Sequence, residues 1–319
     1  MPVNERRIII VIFSFLLATV PAKLCRADSC ADSGQQLLQR GHHNLQGSFQ
    51  EDGETYVNPV WNNDFPDPSV VRGGDGRFYA YGTGNAPFAI WDEMGITSPE
   101  QRAKYVEKHE VNIKVLSSPD LVHWTSEGMA LKSPQDIAWS DGLQFWAPDV
   151  SKQSWNGEDW YVMYYAAQLN GEEENHKCIG AALSQTATGP FQDVGEPVLC
   201  RPGYVAIDPH RVDVGAESFL FWGSGVNGSI FMTPLQPNGW GLLDGDMGNP
   251  VLHSDFASEY EGTIEGVWVD HDAHAPGGPT WWLYYSGSNC CGDEAHYGVS
   301  VAGSRNLTGL YHKKAFFDI

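Results

Sequence analysis

Short runs of aromatic and β-branched residues recur along the chain, and turns that contain Gly, Asp or Pro separate them. Four such runs are FYAYG (78–82), WYVMYYA (160–166), FLFWGS (219–224) and WWLYYSGS (281–288). Continuous apolar runs of this length and composition are typical of β-strands that are buried on both faces. The recurrence of the runs predicts an all-β chain that is built from a repeated unit.

Each repeat has two further parts beside its aromatic strand. The strand before the aromatic one opens with an acidic residue: Asp67, Asp149, Asp208 or Glu265. The strand after it ends in a polar turn and an aromatic residue, over 113–124, 179–191, 229–240 and 297–311. Three strands with a more variable outer fourth make one blade of a β-propeller. The sequence therefore predicts about four blades.

One connection is longer than the equivalent connections of the other repeats. Residues 86–112 separate the second and third strands of the first repeat, and they contain SPEQRAKYVEKHE. A Ser-Pro start followed by helix-forming residues predicts a short helix within this insertion. The insertion is either a lid over one face of the propeller or a neutral surface decoration.

The N-terminal residues have a different pattern from the repeats. Residues 1–27 combine a basic start, an apolar run and small residues at plausible cleavage points, which is typical of a secretory signal peptide. Residues 28–57 are polar without a clear period and predict an irregular arm, followed by the propeller over 58–319. We therefore expect a secreted, extracellular protein.

The net charge limits the classes of binding partner. The net charge of −21 argues against nucleic acid and anionic membranes as partners, because phosphate binding needs a basic face.

The cysteines predict a disulfide bond. Export would carry them into an oxidising compartment, and we hypothesise that Cys178 pairs with Cys200. A zinc site is not indicated, since the chain has no CxxC pair.

The acids at the strand starts suggest a site, because the first strand of every propeller blade lines the central channel. Clustered carboxylates repel, which raises the pKa of at least one of them and gives a mixture of ionised and protonated groups. Inverting glycoside hydrolysis needs such a mixture, with the two carboxyls about 6.5–9.5 Å apart. A structural alternative exists for each acid, which can cap a backbone N–H; this role is favoured for Asp149 and least for Glu265.

The blocks DFPDPSVV, FWAPDV, AIDPHRV and IEGVWV resemble, in this order, the four signature blocks of glycoside hydrolase family 43. The resemblance runs from about Asn58 to Tyr311 and implies a five-bladed propeller that cleaves arabinans, xylans and related glycosides with inversion. It implies Asp67 as general base, Asp208 as the carboxylate that tunes pKa and orients, and Glu265 as general acid. Residues 284–311 (YYSGSNCCGDEAHYGVSVAGSRNLTGLY) most resemble the arabinanase and arabinosidase side of the family.

Four further residues are candidates for binding substrate. Trp146 and Phe65 flank acids and are candidates to stack on sugar rings, with a core role as the equal alternative. His210 is a candidate to bond substrate hydroxyls or a structural histidine, and the resemblance implies only a supporting role for Asp149. The chemistry needs no cofactor, but the resemblance implies a structural calcium ion in the channel with ligands unknown.

The predicted function is the hydrolysis of arabinan or arabinose-bearing plant polysaccharide. A xyloside substrate is the alternative within the family, and a carbohydrate-binding propeller without turnover is the alternative from another class. Four repeats, where the resemblance implies five blades, predict that the fifth blade is missing. The chain would then expose two apolar blade faces, and we expect it to be poorly soluble and nearly inactive.

Overall fold

A computed structural model describes most of the repeated region. The described residues are 56–84, 94–109, 111–171, 176–201, 204–224, 228–243, 248–256, 261–275, 277–278, 280–289 and 296–313. The predicted signal peptide lies outside the described residues, as does all of the predicted arm before residue 56.

The described residues form four antiparallel sheets of four strands each, and in every sheet the strands follow their order in the chain. The first sheet contains β1 (Ser69–Arg72), β2 (Phe78–Gly82), β3 (Lys114–Ser118) and β4 (Thr125–Met129). The second contains β5 (Trp146–Trp155), β6 (Glu158–Gln168), β7 (Lys177–Ser184) and β8 (Gln192–Asp193). The third contains β9 (Ile207–Val214), β10 (Glu217–Ser224), β11 (Ser229–Pro234) and β12 (Asn249–His253). The fourth contains β13 (Ile264–Asp272), β14 (Thr280–Asn289), β15 (His296–Ser304) and β16 (His312–Lys313).

Each sheet is one propeller blade, and the predictions of an all-β chain and of four blades are confirmed. The innermost strands contact one another in chain order, β1 with β5, β5 with β9, and β9 with β13. Within the described ranges, β13 and β1 have no comparable contact.

The aromatic strands of the second and third blades are buried because each lies between two neighbouring blades. On β6, Tyr165 packs into a core shared with the first blade, whereas its neighbour Tyr164 packs into a core shared with the third. On β10, Trp222 faces the second blade and Phe221 faces the fourth. Successive strand residues point to opposite faces, so a strand with a blade on each side needs an unbroken apolar run.

The predicted helix in the long insertion is confirmed as α1 (Pro99–His109). Ser98 and Gln101 form a reciprocal cap: the Gln101 N–H donates to Ser98 Oγ at 3.2 Å, and the Ser98 N–H donates to Gln101 Oε1 at 3.0 Å. The insertion follows β2, so it leaves the sheet at the end where β1 begins. It therefore lies at the same end of the propeller as the first strand's acid.

The predicted disulfide is also confirmed. Cys178 on β7 is bonded to Cys200, which follows β8. The bond joins the third strand of the second blade to the segment that leads into the third blade. None of the helices in the described ranges is long and apolar enough to span a membrane.

Candidate active site

The inner strand of every blade starts with the same backbone bend. One residue near each start has a positive φ: Asp67 (49°), Ala147 (40°), Asp208 (54°) and Gly266 (64°). Strand register shifts beside the bend in the second, third and fourth blades. Such bulges turn side chains away from the regular alternation of a strand, and a non-glycine residue held at positive φ costs about 1 kcal/mol or more.

The bend shows which acids occupy equivalent positions. Asp67 and Asp208 are themselves the bent residues, whereas Asp149 lies two residues after the bend of its blade and Glu265 one residue before. The four acids that open the inner strands therefore do not all occupy the same position, since Asp149 and Glu265 are offset from the bend. Their distance from the strand start could not reveal where the bulge inserts a residue.

Asp67, Asp208 and Glu265 nevertheless share one site. The Gly266 N–H donates to Oδ2 of Asp208 at 2.7 Å, which attaches the third blade's acid to the residue after Glu265. Burial raises the pKa of Asp208 well above its ordinary value, and the negative charges of Glu265 and Asp67 raise it further. Burial is also the main cause of the raised pKa of Glu265, to which the charge of Asp67 adds.

Asp67 accepts a hydrogen bond from Thr83, the residue that follows β2. The Thr83 hydroxyl donates to Oδ2 of Asp67 at 2.6 Å. Asp67 is exposed as a residue, but enough protein surrounds its carboxyl group that burial is the main cause of its raised pKa. The hydrogen bond from Thr83 opposes this rise, and the charge of Asp64 adds to it. The carboxyl group thus lies in a concave surface that solvent still reaches.

Tyr297 on β15 makes the equivalent contact with Glu265. Its hydroxyl donates to Oε1 of Glu265 at 2.7 Å. This hydrogen bond favours the ionised carboxylate and so opposes the effect of burial on the pKa of Glu265. Burial and the negative charges of Glu265 and Asp208 raise the pKa of Tyr297 itself, which keeps the phenol a donor.

Sequence reasoning missed both hydroxyl residues. Thr83 follows an aromatic strand and Tyr297 lies on the third strand of its blade, so neither belongs to the acid-bearing blocks. Their partners are 16 and 32 residues away along the chain. Only the strand pairing within each blade brings them to the acids.

Asp149 lies buried between three inner strands, with 7% of its surface exposed. Its Oδ2 accepts the Arg211 N–H of β9 at 2.8 Å, and its Oδ1 accepts the Ser69 hydroxyl of β1 at 3.4 Å. The Ser69 hydroxyl in turn accepts the Val150 N–H at 3.1 Å. Asp149 therefore connects the first three blades.

His210 lies on β9, two residues after Asp208. It is 6% exposed, its ring stacks on Trp268 with 4.2 Å between ring centroids, and its Nδ1 lies 3.5 Å from Oδ1 of Asp149. The burial and the stacking are those of a packed histidine. Its predicted contact with substrate stays a prediction.

The two candidate stacking residues already use part of their ring surface. The Lys177 ammonium lies 4.1 Å from the centroid of the Trp146 ring, and this lysine is fully buried. The Phe65 ring covers Gly82 so closely that a Cβ at Gly82 would lie 3.0 Å from it. Both aromatics are partly buried, and substrate stacking by either stays a prediction.

The described ranges contain many His, Cys, Asp and Glu residues, which are the side chains that most often bind metal ions. Within those ranges, the only group of three with ligand atoms close enough to share an ion is His176, Cys178 and Cys200. The two sulfurs of this group are bonded to each other. The group is therefore not a thiolate site, and ligands for the expected calcium ion stay unidentified.

Comparison with known proteins identifies the family of the chain. The family model for glycosyl hydrolases family 43 matches residues 56–316. The chain belongs to this family. It is therefore a glycosidase, and the resemblance read from the four sequence blocks is confirmed.

Relatives in the family have several named activities. The probable arabinan endo-1,5-alpha-L-arabinosidase A of Aspergillus flavus is 28% identical over 257 residues, which are 77% of this chain and 67% of the relative. The arabinoxylan arabinofuranohydrolase of Bacillus subtilis is 30% identical over 129 residues, 36% of this chain and 24% of the relative.

Solved structures share the propeller fold. A thermostable family-43 glycoside hydrolase has a TM-score of 0.59 at 24% identity, over 82% of this chain and 75% of the other. The native Bacillus subtilis arabinanase has a TM-score of 0.56 at 21% identity, over 80% and 77%. An endo-1,4-beta-xylanase from Bacteroides thetaiotaomicron has a TM-score of 0.56 at 22% identity, over 79% and 72%.

Proposed function

We propose that this glycosidase acts outside the cell on arabinan or arabinose-containing plant polysaccharide, by single displacement with inversion. The observation that carries the proposal is the cluster of Asp67, Asp208 and Glu265. Burial raises the pKa of all three acids, and the charge of Asp67 adds to the rise for Asp208 and Glu265. The names of the arabinosidase relatives support the choice of arabinan.

In this mechanism Glu265 is the general acid and Asp67 the general base. Glu265 gives its proton to the glycosidic oxygen as the bond from that oxygen to the anomeric carbon breaks. Water attacks the same carbon from the opposite face and loses a proton to Asp67, so the site ends with the proton moved from one carboxyl to the other. The raised pKa of Glu265 keeps this proton available to a higher pH than an ordinary glutamic acid would.

Asp208 has a supporting part in the reaction. Its Oδ2 accepts the Gly266 N–H at 2.7 Å, and this contact holds the backbone beside the general acid. The charge of Glu265 raises the pKa of Asp208, so the two carboxyls do not ionise independently. A site that contains both thus retains a proton to a higher pH than two isolated carboxyls would.

The test is the release of reducing sugar from linear arabinan by the full chain, with Glu265→Gln as the variant. We expect the variant to lose about 10²- to 10⁴-fold on arabinan, the usual size of general acid catalysis. An aryl arabinoside whose leaving group needs no proton should lose much less. NMR of the first-formed sugar should show the anomer opposite to that of the bond cleaved. Retention of configuration, or an equal loss on both substrates, would contradict the proposal.

Xylan-type substrates are the second candidate, and a specific similarity favours them. The arabinoxylan arabinofuranohydrolase relative is 30% identical over the part it shares with this chain. Activity on arabinoxylan or xylosides without activity on linear arabinan would select this candidate. Binding of either polysaccharide without sugar release would instead select the carbohydrate-binding alternative.

We also propose that the four blades are arranged with the angles of a five-bladed propeller. The support is that, within the described ranges, β13 and β1 make no contact comparable to those between the other neighbouring inner strands. On β14, Leu283 and Tyr285 are buried against the third blade, whereas Trp282 and Tyr284 on the opposite face are only half-buried. A crystal structure of the chain in which β13 packs directly on β1 would overturn this arrangement.

A further inference from the structure

Thr83 is buried at the point where the first and second blades meet beside Asp67, and 9% of its surface is exposed. Its N–H donates to the carbonyl of Pro66 at 3.0 Å. The following N–H, that of Gly84, donates to the carbonyl of Phe145 in the second blade at 2.9 Å. The backbone of Thr83 is therefore fixed on both sides.

The Thr83 hydroxyl contacts both blades as well. Its oxygen accepts the Ala147 N–H at 2.8 Å, and the hydroxyl donates to Oδ2 of Asp67 at 2.6 Å. A hydroxyl has a single proton, and a backbone N–H can only donate. Because Ala147 takes one lone pair, the hydroxyl proton is left to point at Asp67. This contact requires that Oδ2 of Asp67 be an acceptor.

The contact with Thr83 gives a structural reason for the bent backbone at Ala147. Ala147 has a φ of 40° although it carries a side chain, and it occupies the position that Asp67 and Asp208 have in their blades. No acid is needed there for the reaction. What the bent backbone supplies is an N–H aimed at Thr83, and residues held in strained conformations are concentrated at functional sites.

We propose that Thr83 is a positioning residue for the general base, with its hydroxyl oriented by the Ala147 N–H. The hydroxyl keeps Oδ2 of Asp67 as a hydrogen-bond acceptor and leaves Oδ1 to receive the proton of the attacking water. The inference rests on the proposed function, because it assumes that Asp67 is the base.

Two variants separate this role from a purely structural one. Thr83→Val keeps the shape of the side chain and removes the hydroxyl, whereas Thr83→Ser keeps the hydroxyl and removes the methyl. We expect Thr83→Val to lower kcat by about 10- to 100-fold, the size expected for a hydrogen bond to a charged group, with little change in KM. Thr83→Ser should stay within a few-fold of the wild type.

The pH profile gives a readout that a structural role would not move. Without its hydroxyl donor, the Asp67 carboxylate is less stabilised and its pKa rises, so the acidic limb of kcat/KM should move to higher pH in Thr83→Val only. Equal pH profiles and kcat within twofold for Thr83→Val and wild type would overturn the inference. An equal loss in Thr83→Ser and Thr83→Val would do the same, since only the latter lacks the donor.

A second measurement needs no substrate, and so separates this inference from the proposed function. ¹³C NMR titration of the Asp67 carboxyl carbon, assigned by its loss in Asp67→Asn, should give a higher pKa in Thr83→Val than in wild type or Thr83→Ser. An inactive wild type that shows this shift would refute the proposed hydrolysis but retain the hydrogen bond's effect on Asp67. An active wild type without the shift would refute the role of Thr83 alone.

Discussion

Replacement of Asp149 by alanine tests whether this acid holds the blades together or belongs to the substrate site. The residue is 7% exposed, and its carboxylate accepts the Arg211 N–H at 2.8 Å and the Ser69 hydroxyl at 3.4 Å. A hydrogen bond to a buried charged group contributes about 1.5–3 kcal/mol, and a partner that is left unsatisfied adds its own cost. The longer contact with Ser69 contributes less.

We therefore expect Asp149→Ala to lower the free energy of unfolding by roughly 2–4 kcal/mol. The measurement is urea unfolding, followed by tryptophan fluorescence, since the midpoint reports stability when the slope is unchanged. Asp159→Ala is the matched control, because Asp159 is paired with Lys152 on the surface and its side chain is 55% exposed. This control should change the midpoint far less.

The KM of Asp149→Ala shows whether Asp149 contacts substrate or only stabilises the fold. At urea concentrations well below the unfolding midpoint, Asp149→Ala should keep the wild-type KM for the substrate that the wild type hydrolyses. Both observed hydrogen bonds of Asp149 are to inner strands. An unchanged unfolding midpoint together with a raised KM would refute this reasoning and place Asp149 in contact with substrate. A lowered midpoint with an unchanged KM would support the structural role.

Two further predictions follow from contacts in the structure. Tyr297→Phe removes the donor that lies 2.7 Å from Glu265, so the pKa of Glu265 should rise and the basic limb of kcat/KM should move to higher pH; a limb that stays in place would show that the hydrogen bond does not control this proton. Replacement of both Cys178 and Cys200 by serine opens a loop of 22 residues and should lower the free energy of unfolding by about 3 kcal/mol in urea titrations, with reduced wild type as the comparison; equal midpoints for variant and oxidised wild type would contradict the estimate.

The sequence by itself determined the repeated unit and most of its strands. An unbroken apolar run such as 160–166 reflects burial on both faces, and the fold provides this burial because β6 lies between two blades. The helix was predictable for a local reason, since its cap joins Ser98 to Gln101 within one turn. The family resemblance likewise depended on short blocks around Asp67, Asp208 and Glu265.

Only the tertiary structure decided which residues form hydrogen bonds around Asp67 and Asp149. The partners of Asp149 are 62 and 80 residues away in the chain, and the Ala147 N–H reaches Thr83 across 64 residues. Residue patterns report local burial, but they do not report which blade a neighbour belongs to or where a bulge shifts a strand by one position. The hydrogen bonds of Thr83 form only when the first two blades pack together, and those of Asp149 only when three inner strands lie side by side.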